Sequence, residues 1–461
     1  MKYLPFVFLL IAFQLFLLVN LQFTAWPEMF SYAYLKNNGF LLYKDMIHPY
    51  PPVLTLTLSY IYKVFGYGIN ILKTFSWLVI LSSSVCVWLL TKEITGKSVA
   101  ALTALAFYVL TQPFLEGNMM WFDIAVVPPL LLGAYFLLRH NLFASGFFLS
   151  LAGFTKQTGG LFYVVVLVYL IWHGKSTLLR PGPKKNAISF LFGPIIFGAP
   201  LLIKLIQENA VEEFLNWVIY YPSVYWSKFP GYVQMSPGIK SLFVVGLFLA
   251  PALWLGIKNK IFQNKKWQVI ALFLVLSVVT VYPRFSFFHL QSTLAFSAVF
   301  YGFLIVQLPK KLQAVSVVLI GLIYILIWPQ IRLEWGSETR FYAREDQKLA
   351  QDISRINSKK DKVFLQGLHS SLYSMSGQVP PKPWADNFGW YFEIPGVQED
   401  TINRWAQNPP EVILWRTPNN GNWFDLGTYQ PSKIVNWIEE NYFRDKELRP
   451  GVWVWRRKIR V

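Results

Sequence analysis

Long apolar segments recur along the first 330 residues, and they constrain the fold more than any other feature of the sequence. An α-helix needs about 20 mostly apolar residues to cross the hydrocarbon core of a bilayer. Read in this way, the sequence predicts eleven membrane spans, at 4–22, 71–91, 98–115, 122–138, 145–155, 160–172, 187–205, 239–257, 267–282, 290–308 and 312–329. We therefore expect an α-helical polytopic membrane protein.

The composition agrees with this expectation. Apolar residues make up 54% of the chain and charged residues only 14%, whereas a soluble domain carries about 25% charged residues. A soluble enzyme and a disordered chain are both excluded on this ground. The single cysteine, Cys86, lies inside an apolar segment, which excludes an intrachain disulfide and a cysteine-rich metal cluster.

The distribution of basic residues predicts the orientation in the membrane. If the N-terminus is inside, the inner loops hold fourteen lysines and arginines against a single acid, Glu93. Cytoplasmic loops carry such an excess of basic residues, and the alternation holds at every predicted crossing. The net charge of +18 is therefore mostly a topology signal, and we expect no nucleic-acid partner.

An odd number of spans places the C-terminal segment outside. We predict a transmembrane catalytic domain at 1–330 and a small external α/β domain at 331–461. Within the latter, the patterns indicate a helix at 343–357, strands at 363–367 and 411–415, and a helix at 434–443. Its tryptophans could stack on sugar rings, although core packing is the favoured interpretation; they are Trp384, Trp390, Trp405, Trp415 and Trp423.

The long first outer loop, residues 26–68, holds Glu28, Asp45 and His48 among aromatic residues and prolines. Its segments 29–35 and 53–64 are amphipathic or apolar but short for a span, so we expect two interfacial helices. The carboxylates are either functional or solvated loop charges.

Three further outer turns carry ionisable or amide side chains: Glu116 and Asp123 in the second, Lys156 and Gln157 in the third, and Arg284 and His289 in the fourth. A lysine between two apolar spans is costly unless it snorkels to the surface or binds an anion. Acid and base groups beside cations, all predicted on one side of the membrane, suit chemistry on a lipid-linked phosphate. The inner loops hold no Gly-rich phosphate loop, so the energy source would be a pre-activated lipid rather than a nucleotide.

The sequence resembles GT-C membrane glycosyltransferases of the protein O-mannosyltransferase and aminoarabinose-transferase type, which is glycosyltransferase family 39-like. The first loop has the pattern E-x5–6-Y-x4–6-G-x3-Y-x-D, carried by Glu28, Tyr34, Gly39, Tyr43 and Asp45. Further matching elements are Pro51-Pro52, Phe65-Gly66, GFTKQ at 153–157 and YPRF-x3-H at 282–289.

This resemblance implies a hexosyl or pentosyl transferase with a polyprenyl-phosphate sugar as donor and a lipid, glycan or protein hydroxyl as acceptor. Glu28 or Asp45 would be the catalytic base, and Lys156, Arg284 and His289 would bind the donor phosphate. Possible substrate-binding residues are His48, Glu116, Asp123, Gln157 and Tyr43. The family often has adjacent acids where this chain has Pro27 before Glu28, which leaves open both the choice of base and a divalent metal.

The expected reaction is a single inverting displacement on the outer face of the cell membrane. The alternative is a lipid-linked sugar flippase or another transporter, for which the glycines and prolines of the seventh span are the best feature. A transporter would be expected to show repeats and charges near the bilayer midplane, and the sequence shows neither. A non-catalytic scaffold would leave Lys156 and Arg284 unexplained.

Overall fold

A computed structural model describes residues 2–172, 183–225, 238–281, 285–357, 362–386, 389–416 and 431–458. These residues form two compact units. The helical unit comprises the described parts of Met1–Thr24, Lys73–Leu201 and Met235–Ser337. The mixed unit comprises those of Ala25–Leu72, Leu202–Gln234 and Glu338–Val461.

Most of the described chain is helical. In chain order, helices α1 to α21 are Leu4–Asn20, Glu28–Asn37, Val53–Phe65, Ile69–Thr95, Ser98–Thr111, Phe122–Ala125, Val127–Leu138, Leu142–Thr155, Gln157–Trp172, Pro183–Gln207, Val211–Leu215, Tyr221–Val224, Ile239–Asn259, Lys265–Val279, Gln291–Gln307, Lys310–Glu334, Arg344–Ile356, Ser371–Ser376, Gly389–Phe392, Val397–Gln407 and Ser432–Asn441. A short 3-10 turn at Gln112–Phe114 directly follows α5, and another at Phe287–Leu290 directly precedes α15.

Each of the eleven predicted spans coincides with a helix of the structure, so the prediction of a helical protein is confirmed. Among the described residues, four helices are long and apolar enough to cross a membrane: Ile69–Thr95, Ile188–Gln207, Ser241–Asn259 and Phe287–Gln307. Six others are apolar but shorter. The count of eleven crossings and the orientation stay predictions.

Small residues bring the helices of the helical unit together. A β-carbon added to Gly302 on α15 would come within 2.4 Å of the Ala100 carbonyl oxygen on α5. Likewise, one added to Gly193 on α10 would come within 2.3 Å of the Gly146 carbonyl oxygen on α8. Membrane helices associate through such close backbone contact at small residues. Close helix packing is therefore sufficient to explain the glycine at position 193, and a transport site is not needed for it.

Asn118 fixes the turn between α5 and α6. Its buried amide nitrogen donates to the carbonyl oxygens of Leu18 and Leu21, at 2.9 and 3.0 Å. Its amide oxygen accepts from Trp77 Nε1 at 3.1 Å. One side chain thus holds the end of α1, the helix α4 and the turn that leads to α6.

Replacing Asn118 with leucine should lower the free energy of unfolding by at least about 2 kcal/mol, because several buried polar groups lose their partner. Asn20 offers a matched control, since its side-chain amide donates one hydrogen bond, to the Phe16 carbonyl oxygen. Asn20→Leu should cost about 1 kcal/mol or less. Unfolding of both variants in detergent measures the difference, and equal losses would contradict the anchoring role of Asn118.

In the mixed unit, a four-stranded sheet has the order β1-β2-β4-β3. Its strands are β1 Val363–Gln366, β2 Val412–Arg416, β3 Tyr442–Arg449 and β4 Val452–Arg457. Strands β1 and β2 are parallel, and the other two pairs are antiparallel. The predicted helices and strands of this region are present as α17, β1, β2 and α21, whereas β3 and β4 were not predicted.

The mixed unit also contains the first loop, whose two predicted helices are present as α2 and α3. That they lie in the membrane interface stays a prediction, as does a domain boundary at residue 330. Four of the five tryptophans named above are buried, which agrees with core packing; they are Trp384, Trp390, Trp405 and Trp415. Trp423 lies outside the described residues.

Candidate active site

Three of the predicted site residues meet inside the helical unit. The Lys156 Nζ atom donates to Asp123 Oδ1 at 2.6 Å. The His289 Nδ1 atom lies 3.0 Å from the other carboxylate oxygen, Oδ2. Each of these side chains is only 9% exposed. The carboxylate of Asp123 therefore holds a lysine and a histidine from two distant parts of the chain.

The local sequence explains how the lysine becomes buried. Lys156 adopts an extended conformation between the end of α8 and the start of α9. Glycines let these two helices approach closely, since a β-carbon on Gly159 would come within 2.6 Å of the Ala152 carbonyl oxygen. Asp123 lies in the first turn of α6, where the helix dipole favours a negative charge.

Glu116 supports the same region. Its backbone has a positive φ of 51°, and its Oε2 atom accepts a hydrogen bond of 3.4 Å from the Phe288 amide. The turn that holds Glu116 is thus joined to the 3-10 turn that carries His289. Gln157 begins α9 beside Lys156. Arg284, the other predicted phosphate ligand, lies outside the described residues.

Asp45 lies in the mixed unit and is held by two cations. Its Oδ2 atom accepts from Lys382 Nζ at 2.8 Å, and its Oδ1 atom lies 3.8 Å from Arg404 Nη2. The Leu41 amide also donates to Oδ2 at 3.0 Å. The backbone of Asp45 is hydrogen-bonded as well, since the Trp384 amide donates to the Asp45 carbonyl oxygen at 2.9 Å.

Both carboxylate oxygens of Asp45 thus have cationic partners within the mixed unit. The contacts of Asp45 therefore favour a role in holding the first loop against residues 382–404. The two partners of Asp45 could not be predicted, because Lys382 and Arg404 lie far along the chain in segments without a motif.

Glu28 has a different environment, although it lies in the same unit. It occupies the first turn of α2 and is 2% exposed. Burial raises the pKa of Tyr32, one helical turn away, and the negative charges of Asp386 and Glu28 raise it further. Glu28 thus lies in a buried region that also holds a second carboxylate.

His48 and Tyr43 support the first loop. His48 Nδ1 lies 2.8 Å from the Tyr50 carbonyl oxygen, and Nε2 lies 2.7 Å from Thr55 Oγ1. A carbonyl can only accept, so Nδ1 carries the proton and Nε2 accepts from the threonine. The Tyr43 hydroxyl donates to the same Tyr50 carbonyl at 3.0 Å. These contacts favour a structural role, and substrate binding by either residue stays a prediction.

Burial lowers the pKa of His48 from 6.5 to about 4. Between these values the unfolded chain binds a proton that the folded chain does not, so stability falls as the pH drops. We expect a loss of about 2 kcal/mol between pH 7 and pH 5 from this residue. Unfolding at both pH values should show that His48→Gln lacks this part of the loss, and an identical pH dependence would contradict the buried neutral imidazole.

The described residues contain no group of three histidine, cysteine, aspartate or glutamate side chains that could hold a metal ion. The carboxylates of Asp45 and Asp123 are instead paired with lysine, arginine or histidine side chains.

Comparison with known proteins gives both a family match and structural matches. Residues 48–199, about a third of the chain, match the family described as dolichyl-phosphate-mannose-protein mannosyltransferase. No curated protein matches the sequence.

Two solved structures are similar over nearly the whole chain. The first is ArnT from Cupriavidus metallidurans bound to undecaprenyl phosphate, with a TM-score of 0.60, 11% identity and 98% of both chains covered. The second is the archaeal oligosaccharyltransferase AglB from Archaeoglobus fulgidus, in complex with an inhibitory peptide and a dolichol-phosphate. It has a TM-score of 0.62 and 11% identity, over 99% of this chain and 74% of that one. At this identity, the likeness shows a shared fold.

Proposed function

The resemblance to GT-C membrane glycosyltransferases is confirmed by these matches, and on that basis we propose that the chain transfers a sugar from a polyprenyl-phosphate donor. The acceptor is a hydroxyl of a lipid, glycan or protein on the outer face of the cell membrane. The solved relatives were captured with undecaprenyl phosphate and dolichol-phosphate, which are the lipid products that such a transfer releases.

The observation that carries the proposal is the buried contact of Lys156 and His289 with Asp123. A lysine ammonium has three N–H donors, and the bond to Asp123 takes one of them. In the proposed complex, another points to the donor phosphate. As the sugar leaves, negative charge develops on that phosphate, and fixed donors in a site without bulk water stabilise it.

Asp123 has a supporting part in this scheme. Its two oxygens fix the positions of the ammonium and the imidazole before the lipid binds. Such preorganisation removes the cost of reorienting the donors during the reaction. Arg284, four residues before Phe288, is proposed as a further phosphate ligand.

For the acceptor, we assign the general base to Glu28 rather than Asp45. Glu28 is buried near another carboxylate, and both conditions favour proton uptake. Asp45 is instead held by Lys382 and Arg404, so its carboxylate already has two cationic partners. Attack by the acceptor opposite the leaving phosphate inverts the configuration at the sugar carbon.

The donor class is tested by native mass spectrometry of the purified protein with polyprenyl phosphate and with the matching polyprenol. The proposal expects the phosphate to bind in a 1:1 complex and the alcohol to bind far more weakly. The double variant Lys156→Met/Asp123→Asn should lose about 10-fold or more in affinity for the phosphate, because a charge-assisted hydrogen bond is removed. Equal binding of both lipids would overturn the phosphate site.

A further inference from the structure

A buried aspartate of the mixed unit, Asp386, has no part in the scheme above. It is 3% exposed and lies just after Trp384 in an irregular segment. Buried carboxylates are rare unless they have a specific partner. We therefore expect the buried carboxylate of Asp386 to have a specific role.

A chain of hydroxyl groups connects Asp386 to the helix of Glu28. The Ser370 hydroxyl lies 2.8 Å from Asp386 Oδ2, to which it donates, and 3.1 Å from the Ser31 hydroxyl on α2. Ser31 and Ser370 are themselves fully buried. Helix α2 also packs against α18, which begins directly after Ser370.

Helical spacing places the relevant side chains of α2 on one face. Residues three and four positions apart are neighbours on a helix surface, so Glu28, Ser31 and Tyr32 share a face. Both Asp386 and Glu28 lie close enough to Tyr32 to raise its pKa through their charges, after the larger effect of burial. Tyr32 also contacts the rings of Trp384 and His48, at 6.0 and 4.6 Å between centroids.

We propose that Asp386 is a positioning residue for Glu28, and that it supplies the second carboxylate which this chain lacks beside Glu28 in the first loop. The proposal rests on the assignment of Glu28 as the base. Through Ser370 and Ser31, Asp386 fixes the face of α2 that carries Glu28. Its negative charge, in a region of low dielectric constant, favours transfer of a proton to Glu28.

The geometry also explains why Pro27 is tolerated before Glu28. Pro27 and Met29 flank Glu28, so no second acid is adjacent to Glu28 in the sequence. Proline suits the start of a helix, because the amide that it lacks has no partner there. The second acid is then provided about 360 residues later in the chain.

A double-mutant cycle tests this inference, with Asp386→Asn, Glu28→Gln and their combination in the full-length protein. The Ser370 hydroxyl can still donate to asparagine, so the fold is retained. Asp386→Asn should lower kcat roughly 3- to 10-fold, as Brønsted behaviour predicts for a weakened base, and leave the donor KM unchanged. In the Glu28→Gln background, the same change should alter kcat less than 2-fold, because Asp386 acts through Glu28.

Two further variants separate this role from a loss of stability. Ser370→Ala should lower kcat in the same direction, and Asp386→Glu should restore part of the rate. Asp346 is the matched control, since its carboxylate bonds to His369 rather than to the face of α2; Asp346→Asn should leave kcat unchanged in both backgrounds.

A wild-type kcat in a folded Asp386→Asn variant would overturn the inference, and so would rate losses that multiply in the double variant. An active Glu28→Gln variant would instead remove the proposed base itself. Unfolding of each variant in detergent shows which of them are folded.

Discussion

Lys156→Met should lower the rate of sugar transfer by about 10²–10³-fold, since it removes a fixed donor at the leaving phosphate. It should also lower the free energy of unfolding by about 3–5 kcal/mol, because it leaves the buried carboxylate of Asp123 without its lysine. Transfer rates and detergent unfolding measured on the same preparation report both effects.

A second variant separates the two effects. In Lys156→Met/Asp123→Asn, no carboxylate remains to be buried without its lysine, so most of the lost stability should return. The transfer rate should stay low, because the phosphate still lacks its donor. Recovery of the rate together with the stability would contradict phosphate binding by Lys156 and leave it a structural role.

Lys266 provides the matched control within the helical unit. It also pairs with an acid, Glu93, at 3.1 Å, but its side chain is 38% exposed. Exposed pairs contribute about 0–1 kcal/mol. Lys266→Met should therefore leave both the transfer rate and the stability close to those of the wild type.

Glu28→Gln should lower kcat by about 10²–10⁴-fold, the usual contribution of a general base. The amide is close in shape to the carboxylate, so the fold should survive. Asp45→Asn is the paired variant: it keeps a side chain of the same shape beside Lys382 and Arg404 but has no charge for them. Its kcat should stay within about 10-fold of the wild type, because the change weakens the hold on the first loop but does not remove the base, whose loss costs about 10²–10⁴.

The opposite result has a clear meaning. If Asp45→Asn abolished transfer while Glu28→Gln retained full activity, the base would be Asp45. Full activity in both variants would remove both carboxylates from the chemistry. Detergent unfolding of each variant shows whether a lost activity reflects a lost fold.

The helices of this protein could be predicted from the sequence because apolar segments have a length and a period. All eleven predicted spans coincide with helices, and the helix predicted at 343–357 is present as α17, with Leu349, Ala350 and Ile353 buried. Strand β3 was not predicted because its central charged residues do not alternate with apolar ones. Strand β4 has the β-branched and aromatic sequence VWVW, which is typical of a strand, and it was missed nevertheless.

Asp123, Lys156 and His289 are in contact in the structure, whereas their role and their side of the membrane stay predictions. Their pairing could not be predicted, because it depends on how α6, the junction of α8 and α9, and the turn before α15 pack in three dimensions. The same holds for Lys382 and Ser370, which bond to Asp45 and Ser31 of the first loop across more than 300 residues of chain. No local sequence motif predicts these long-range contacts.

The most direct measurement is sugar transfer by the purified full-length protein in detergent, from a panel of radiolabelled polyprenyl-phosphate sugars. The account predicts that a donor in the panel is consumed, that polyprenyl phosphate is released, and that Lys156→Met abolishes the release. If no donor is consumed, while labelled lipid crosses proteoliposome membranes faster when the protein is present, the chain is a lipid transporter and the account is wrong.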